Sequence, residues 1–394
     1  MPEKMTVSAV ICELNPLHGG HMSLLGQARE KGGALVCVLS GHFVQRGEPA
    51  ILDKWARTRL ALEAGADLVA ELPLPWSCAG AERFARGGVA LAASLGTGRL
   101  VFGSEYPDSG RLLETAKALL SPGFSAALAS LPEDGGLFAR RRQEALGQVV
   151  GPEAASILEK PNALLGVEYC KAVLSMGLPM KPVALPRLGA GHDQPGVPGE
   201  APSASGLRKM LLAGEGVAGL APPCTLRAIE KEKEAGRCPA SLSHLGRAVL
   251  ARLRGMGPGD FARLPDVSEG LENRLYKAAR QARSLEEFYS LAKSKRVAHA
   301  RLRRLAMAAF LGLHDQLPPL PPYARVLGMT PVGAGLLKAC RLPVVLRAGD
   351  LPRLPAQAQE VFRLEAWAGD LYGLCCPEVQ PCGRDFTQGV IKKG

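Results

Sequence analysis

The apolar run Val7 to Cys12 breaks into Glu13-Leu14-Asn15-Pro16-Leu17-His18-Gly19-Gly20-His21-Met22, and a helical pattern through Leu24, Leu25 and Ala28 follows. A short apolar run bounded by a turn reads as a buried strand, and the spacing after it as a helix. The chain therefore opens with a strand–turn–helix unit that puts two imidazoles and two glycines at a helix start. Such a turn offers unpaired N–H groups and the positive end of the helix dipole to an anion. Gly19 and Gly20 let the backbone come close to it, and His18 and His21 can donate hydrogen bonds to it. The phosphates of a nucleotide suit that arrangement. His-x-x-His spacing also suits a metal, although no carboxylate or Cys stands beside it at zinc-site spacing. Ordinary turn histidines are the third reading.

Strands and helices then alternate. Candidate strands are 7–12, 34–39, 68–72, 99–102 and 180–185, with helical patterns at 22–31, 54–64, 81–94 and 109–120. Interleaving of this kind predicts an α/β fold with a doubly wound, Rossmann-like parallel sheet. From about residue 215 the periodicity is mostly helical, so we expect a nucleotide-handling domain over 1–214 and a mainly helical region over 215–394. Ligands of doubly wound folds gather at the carboxyl ends of the strands. The polar segments 15–21, 40–49 and 103–105 fall there.

Two further segments carry charge or hydroxyls. The loop 40–49 holds Gln45, Arg46 and Glu48 and leads into Asp53, a helix N-cap, and Lys54. It either clamps phosphates or a carboxylate substrate, or is a charged surface loop. Arg187 and Leu188 follow the fifth strand, and Ser203-Ala204-Ser205-Gly206-Leu207-Arg208 opens the next helix. Those serines can cap free N–H groups or bind phosphate oxygens, and Arg208 lies one turn on.

Composition narrows the partners. At 394 residues and 47% hydrophobic, the chain is long enough for two cored domains. No stretch reaches the apolar length of a membrane span, and the start lacks a signal-peptide pattern, so we expect no membrane. Ten cysteines without framework spacing suit a reducing cytoplasm. Cys375, Cys376 and Cys382 are either buried thiols or a metal cluster; no histidine stands near them, and we assign no metal ligands. A formal charge of +11 points to polyanionic partners. It concentrates in Lys293–Arg304, which carries six Lys or Arg and no acid and runs into a helix with Leu302, Leu305, Ala306, Ala309, Phe310 and Leu313 on one face. The remaining arc either meets an RNA backbone or is a solvated face.

Asn15-Pro16-Leu17-His18-Gly19-Gly20-His21 resembles the signature of the HIGH-type nucleotidyltransferase superfamily, whose members join ATP to an acid or phosphate with loss of pyrophosphate. The longer set resembles one family, the bacterial tRNA(Met) cytidine acetate ligases. It comprises Phe43 to Ala50, Asp53-Lys54-Trp55, Asp67 to Pro73, Phe102 to Glu105, Lys160-Pro161-Asn162, Leu165 to Tyr169, Arg187, Ser203 to Arg208, Glu269 to Arg274, Lys295-Arg296 with Arg301 and Arg304, and Arg325 to Gly328. The resemblance implies activation of acetate by ATP as acetyl-adenylate and acetylation of N4 of the wobble cytidine in elongator tRNA(Met). It implies ATP contacts along Ile11, Cys12, Glu13 to Met22, Ser23 and Leu24, and at Gly103, Asn162, Arg187 and Leu188, with Mg²⁺ accompanying ATP. His18, His21, Ser203, Ser205 and Arg208 are the expected catalytic set, and Lys295, Arg296, Arg301 and Arg304 the expected tRNA contacts. The chain departs from the pattern at His42, where Asn is expected, at Ala163, where Asp is expected, and near Gly191-His192-Asp193, one residue short. Two rival readings remain, a nucleotidyltransferase making a small nucleotide cofactor and a non-catalytic RNA-binding protein.

Overall fold

The structure, a computed structural model, describes residues 6–30, 33–132, 138–187, 202–268 and 270–394. Its centre is a parallel run of five strands: β1 (Val7–Cys12), β2 (Ala34–Ser40), β5 (Leu68–Leu72), β6 (Arg99–Ser104) and β7 (Lys181–Pro186). All six residues of β1 and all seven of β2 are buried. Helices cover both faces of the sheet, which is why these strands read as continuous apolar runs rather than alternations. Successive side chains still diverge: Ala9 and Ile11 enter the core on one face, Val10 and Cys12 the core on the other.

Spatial order across these five is β5-β2-β1-β6-β7. The chain thus winds outward from β1 through β2 to β5, then returns to β6 on the other side of β1. The strand order reverses between β1 and β6, and a crevice opens there beyond their carboxyl ends. Two short strands, β3 (Phe43–Val44) and β4 (Glu48–Pro49), make a hairpin beside it, with Phe43 opposite Pro49 and Val44 opposite Glu48. Gly47 turns that hairpin at φ +71, and a Cβ there would lie 2.8 Å from the backbone nitrogen of Arg304. Close approach to the helix His299–Leu311 therefore requires glycine at this position.

The later part of the chain is helical through Pro223–Glu234, Leu242–Arg254, Leu271–Gln281, Leu285–Ala292 and His299–Leu311. It then returns to the sheet. β8 (Ala324–Met329) pairs antiparallel with β5, placing Glu71 opposite Arg325, and β9 (Val344–Val345) and β10 (Ile391–Lys392) run parallel to β8. The doubly wound sheet of the sequence reading thus carries three added strands that run against it, β8, β9 and β10, and residues from both sides of position 214 build it.

Salt bridges knit this junction. Lys54 Nζ lies 2.6 Å from Glu71 and 3.5 Å from Glu365 and also contacts Asp385, with no solvent exposure. Arg325 pairs with Asp385 at 2.5 Å and Glu71 at 3.2 Å, and stacks over Trp55 and Phe362. Glu365 accepts the Leu74 N–H at 2.6 Å, and burial followed by the Glu71 charge pushes its carboxyl well above the usual range. Protonated Glu365 leaves two cations against two carboxylates. The sequence left Lys54 open between a phosphate or carboxylate clamp and a charged surface, but Asp53 caps the helix Lys54–Glu63 and Lys54 is buried against Glu71 of β5. Among the described residues, no helix is long and apolar enough to cross a membrane.

Candidate active site

A cavity of about 240 Å³ fills the crevice between the ends of β1 and β6. Ile11 to Asn15 form its floor, followed by His18, Gly20, His21, Ser23 and Leu24 from the turn and the helix Gly19–Glu30. Gly103, Asn162 and Arg187 line it from β6, from the helix Pro161–Ser175 and from the end of β7. Pro16, Leu17, Gly19 and Met22 belong to the same expected segment but do not face the cavity. Leu17 instead is fully buried in the core on that side of the sheet. Leu188 and the stretch Gly191-His192-Asp193 lie outside the described residues.

The two histidines are held as a pair, ring centroids 4.0 Å apart. His18 Nδ1 accepts the Gly20 N–H at 3.0 Å, and His21 Nδ1 accepts the His18 N–H at 3.3 Å. In neutral rings these bonds assign the remaining proton to Nε2, leaving it as a donor. Burial and then the Arg187 guanidinium push His18 down to about 4. His21 is lowered well below its ordinary value by burial, then by His18 and Arg187. Without ligand, positive potential in the cavity therefore comes from Arg46, Arg187 and Arg208 rather than from the imidazoles.

Arg208 reaches the cavity because Ser203 starts its helix. Ser203 Oγ accepts the Gly206 N–H at 3.3 Å and pairs with Ser205 Oγ at 2.9 Å, both buried. Neither serine faces the cavity; Ala204 between them does. One turn later Arg208 donates to the Asn15 carbonyl at 2.7 Å. Asn15 itself accepts the Ile51 N–H at 2.8 Å, while its buried side-chain nitrogen has no hydrogen-bond partner among the described residues. Glu105 caps the helix that carries Asn162, accepting from the Asn162 amide at 2.7 Å and the Ala163 N–H at 2.8 Å. Burial alone would raise its carboxyl; those hydrogen bonds bring it below the usual range.

Of the groups around the cavity, Arg57 and Phe84 stand outside every motif, whereas Glu13, Phe102, Leu165 and Tyr169 fall within the segments that carry the resemblance. Arg57, fully buried, donates to the carbonyls of Glu13, Ser40 and Leu52 at 2.8–2.9 Å and also to that of Gly41, tying together the ends of β1 and β2. Phe84, Phe102, Leu165 and Tyr169 make an apolar wall opposite the histidines' segment. Nothing in their spacing distinguishes them from core. Glu13 accepts the Gln45 N–H at 3.0 Å and is raised chiefly by burial.

The expected tRNA contacts divide. Lys295 and Arg296 are exposed on the turn before the helix His299–Leu311. Arg301 folds back onto the Asp266 carbonyl, and Arg304 lines a small niche with Cys78, Arg83 and Asp266, its Nε without a hydrogen-bond partner. Of the departures, His42 is buried against Tyr372, 4.6 Å between rings, and Ala163 is buried in the first turn above Glu105. Cys375 and Cys376 are buried and Cys382 exposed.

The model of the HIGH nucleotidyl transferase family matches residues 5–385. A Thermoanaerobacter sp. (strain X514) protein named tRNA(Met) cytidine acetate ligase is 34% identical over 98% of this chain and 100% of its own length. The chain belongs to the tRNA(Met) cytidine acetate ligase family. Another member, from Syntrophotalea carbinolica, is 37% identical over 91% of this chain and 88% of its own. Two crystal structures of Thermotoga maritima TmcAL, one apo and one bound with alpha-thio ATP, superpose with TM-scores of 0.93 and 0.91. Each is 31% identical and covers 98% of this chain and 99% of its own.

Proposed function

We propose that the protein is a ligase that condenses acetate with ATP to acetyl-adenylate and pyrophosphate, then passes the acetyl group to N4 of the wobble cytidine of elongator tRNA(Met). The observation that carries this reading is the convergence of His18, His21, Arg187 and Arg208 on one cavity at the reversal of strand order. The relatives' name and the alpha-thio ATP bound by the Thermotoga protein support it.

In the first step an acetate oxygen attacks the α-phosphorus, the bond to the bridging oxygen breaks, and pyrophosphate leaves. No proton need move, so positioning and fixed dipoles carry the work. The Nε2–H groups of His18 and His21 donate to non-bridging oxygens, and Arg187 and Arg208 offset the charge that develops. Ser203 and Ser205 act by fixing the helix that aims Arg208. Phe84, Phe102, Leu165 and Tyr169 keep water from the mixed anhydride. Among the described residues no group of three ligating side chains could hold a metal; Mg²⁺ enters as the counter-ion of the triphosphate. We assign adenylation to 1–214 and tRNA holding to the mainly helical 215–394, with Lys295 and Arg296 on phosphates. Ten free cysteines suit a cytoplasmic protein.

Exchange of labelled pyrophosphate into ATP tests the first step. Exchange that requires acetate is the expected result. Exchange indifferent to acetate would favour a nucleotidyltransferase of another substrate, and none at all a non-catalytic RNA binder.

A further inference from the structure

A second, open groove of about 390 Å³ adjoins the nucleotide cavity. Two elements line both. Arg208 faces each of them, and the β3–β4 hairpin presents Gln45 and Arg46 to the cavity but Glu48 and Pro49 to the groove. The opposite wall comes from the helical part of the chain, with Ser243, Leu285 and Arg303. Its volume lies in the range of small-molecule sites.

Glu48 sits at the boundary, its side chain 19% exposed. One carboxylate oxygen pairs with Arg303 at 2.7 Å; the other lies 3.6 Å from Arg208, beyond hydrogen-bond length. Two guanidinium groups thus flank this carboxylate of the groove, and one of them, Arg208, also faces the cavity.

A carboxylate is the side chain that accepts the exocyclic N–H of cytosine. We propose, resting on the ligase reading above, that this groove receives the acceptor cytidine and that Glu48 accepts its N4–H and takes that proton during transfer. The N4 lone pair attacks the acetyl carbonyl carbon. A C–N bond forms, the C–O bond to the adenylate phosphate breaks, and its electron pair leaves on AMP. The nitrogen is electron-poor because its lone pair is shared with the ring, and a hydrogen bond to an anion restores density to it. Once bonded to the acyl carbon it carries positive charge and is a strong acid, so a carboxylate is base enough. Partial exposure lets the proton pass to solvent.

The test separates the half-reactions. Acetyl transfer from preformed acetyl-adenylate to tRNA is followed in single turnovers beside acetate-dependent pyrophosphate exchange. In Glu48→Gln, transfer should slow by about 100-fold or more, the scale of general base catalysis, and lose its decline at acid pH. Exchange should fall far less. Glu48→Asp should recover part of the transfer rate. Ser243→Trp, which fills the far side of the groove, should raise the tRNA concentration needed for half-maximal transfer. Parental transfer by Glu48→Gln, or equal losses in both half-reactions, overturns the proposal. Absence of acetate-dependent exchange in the unsubstituted protein overturns the ligase reading instead.

Discussion

The histidine-lined cavity and the ion cluster at the β5–β8 junction use the same residue types to opposite ends. In the cluster each charge meets a partner inside the protein: Lys54 and Arg325 face Glu71 and Asp385, and burial with the Glu71 charge pushes the Glu365 carboxyl well above its usual range. In the cavity the histidines stay neutral, the Asn15 amide nitrogen lacks a partner among the described residues, and Arg187 faces the open space. One region is complete without ligand; the other has its donors in place before an anion arrives. Substitutions should therefore separate stability from activity.

The largest effect should come from the cluster. Lys54→Met takes from the buried carboxylates one of their two cations, and breaking a buried ion pair in this way costs about 3–5 kcal/mol, with melting temperature as the readout. Glu365→Gln should cost far less near neutrality because it copies the protonated acid. With the Glu365 carboxyl raised in the fold, the native state keeps a proton that the unfolded chain releases above the ordinary carboxylate range. Its stabilisation is full below that range and fades as pH rises, so Glu365→Gln should flatten the alkaline limb of the stability curve. A loss for Glu365→Gln as large as that for Lys54→Met would show the carboxylate to be ionised.

At the cavity the order reverses. His18→Ala should slow acetyl-adenylate formation by roughly 10²–10³, the loss of one preorganised donor, with little change in melting temperature. The depressed His18 value adds a second test. Without ATP the unfolded chain takes a proton near 6.5 and the folded one only near 4, so stability falls as pH drops through that window. His18→Ala should remove part of that acid loss. A variant that adenylates at the parental rate would return the histidines to ordinary turn residues.

Much of this contrast was legible in the sequence, but unevenly. Continuous apolar runs marked β1, β2, β5, β6 and β7 to within two residues, because strands buried on both faces have no polar alternation to blur them. The turn Asn15–His21 and Gly103 fell at strand ends, and the reversal of strand order brought them together. β8 was missed: Ala324–Met329 is six residues behind a Pro-rich stretch, and only pairing with β5 makes it a strand. The cluster was equally hidden, since its members come from five separate segments. Lys54 stood open between a ligand residue and a surface charge until the fold surrounded it with carboxylates. Arg301 and Arg304 looked solvent-facing because the apolar stripe of their helix lies elsewhere. A second contact, to residues near Asp266 and Cys78, covers them, and local periodicity carries no record of it.

That division yields the smallest expected effect. If the basic segment meets RNA phosphates, its exposed residues should do so and its covered ones should not. Lys295→Ala with Arg296→Ala should leave acetate-dependent exchange and melting temperature near parental values. Each lost phosphate contact should reduce the slope of log affinity against log salt by roughly 0.7–0.9, about 1.4–1.8 for the pair. Arg301→Ala should leave that slope unchanged and lower stability modestly, because it removes the bond to the Asp266 carbonyl. Titration of tRNA at several salt concentrations, with a melting curve for each variant, measures both quantities. An unaltered slope for the double variant would make the exposed turn a solvated face. A reduced slope for Arg301→Ala alone would mean that the helix unpacks from Asp266 to reach the RNA.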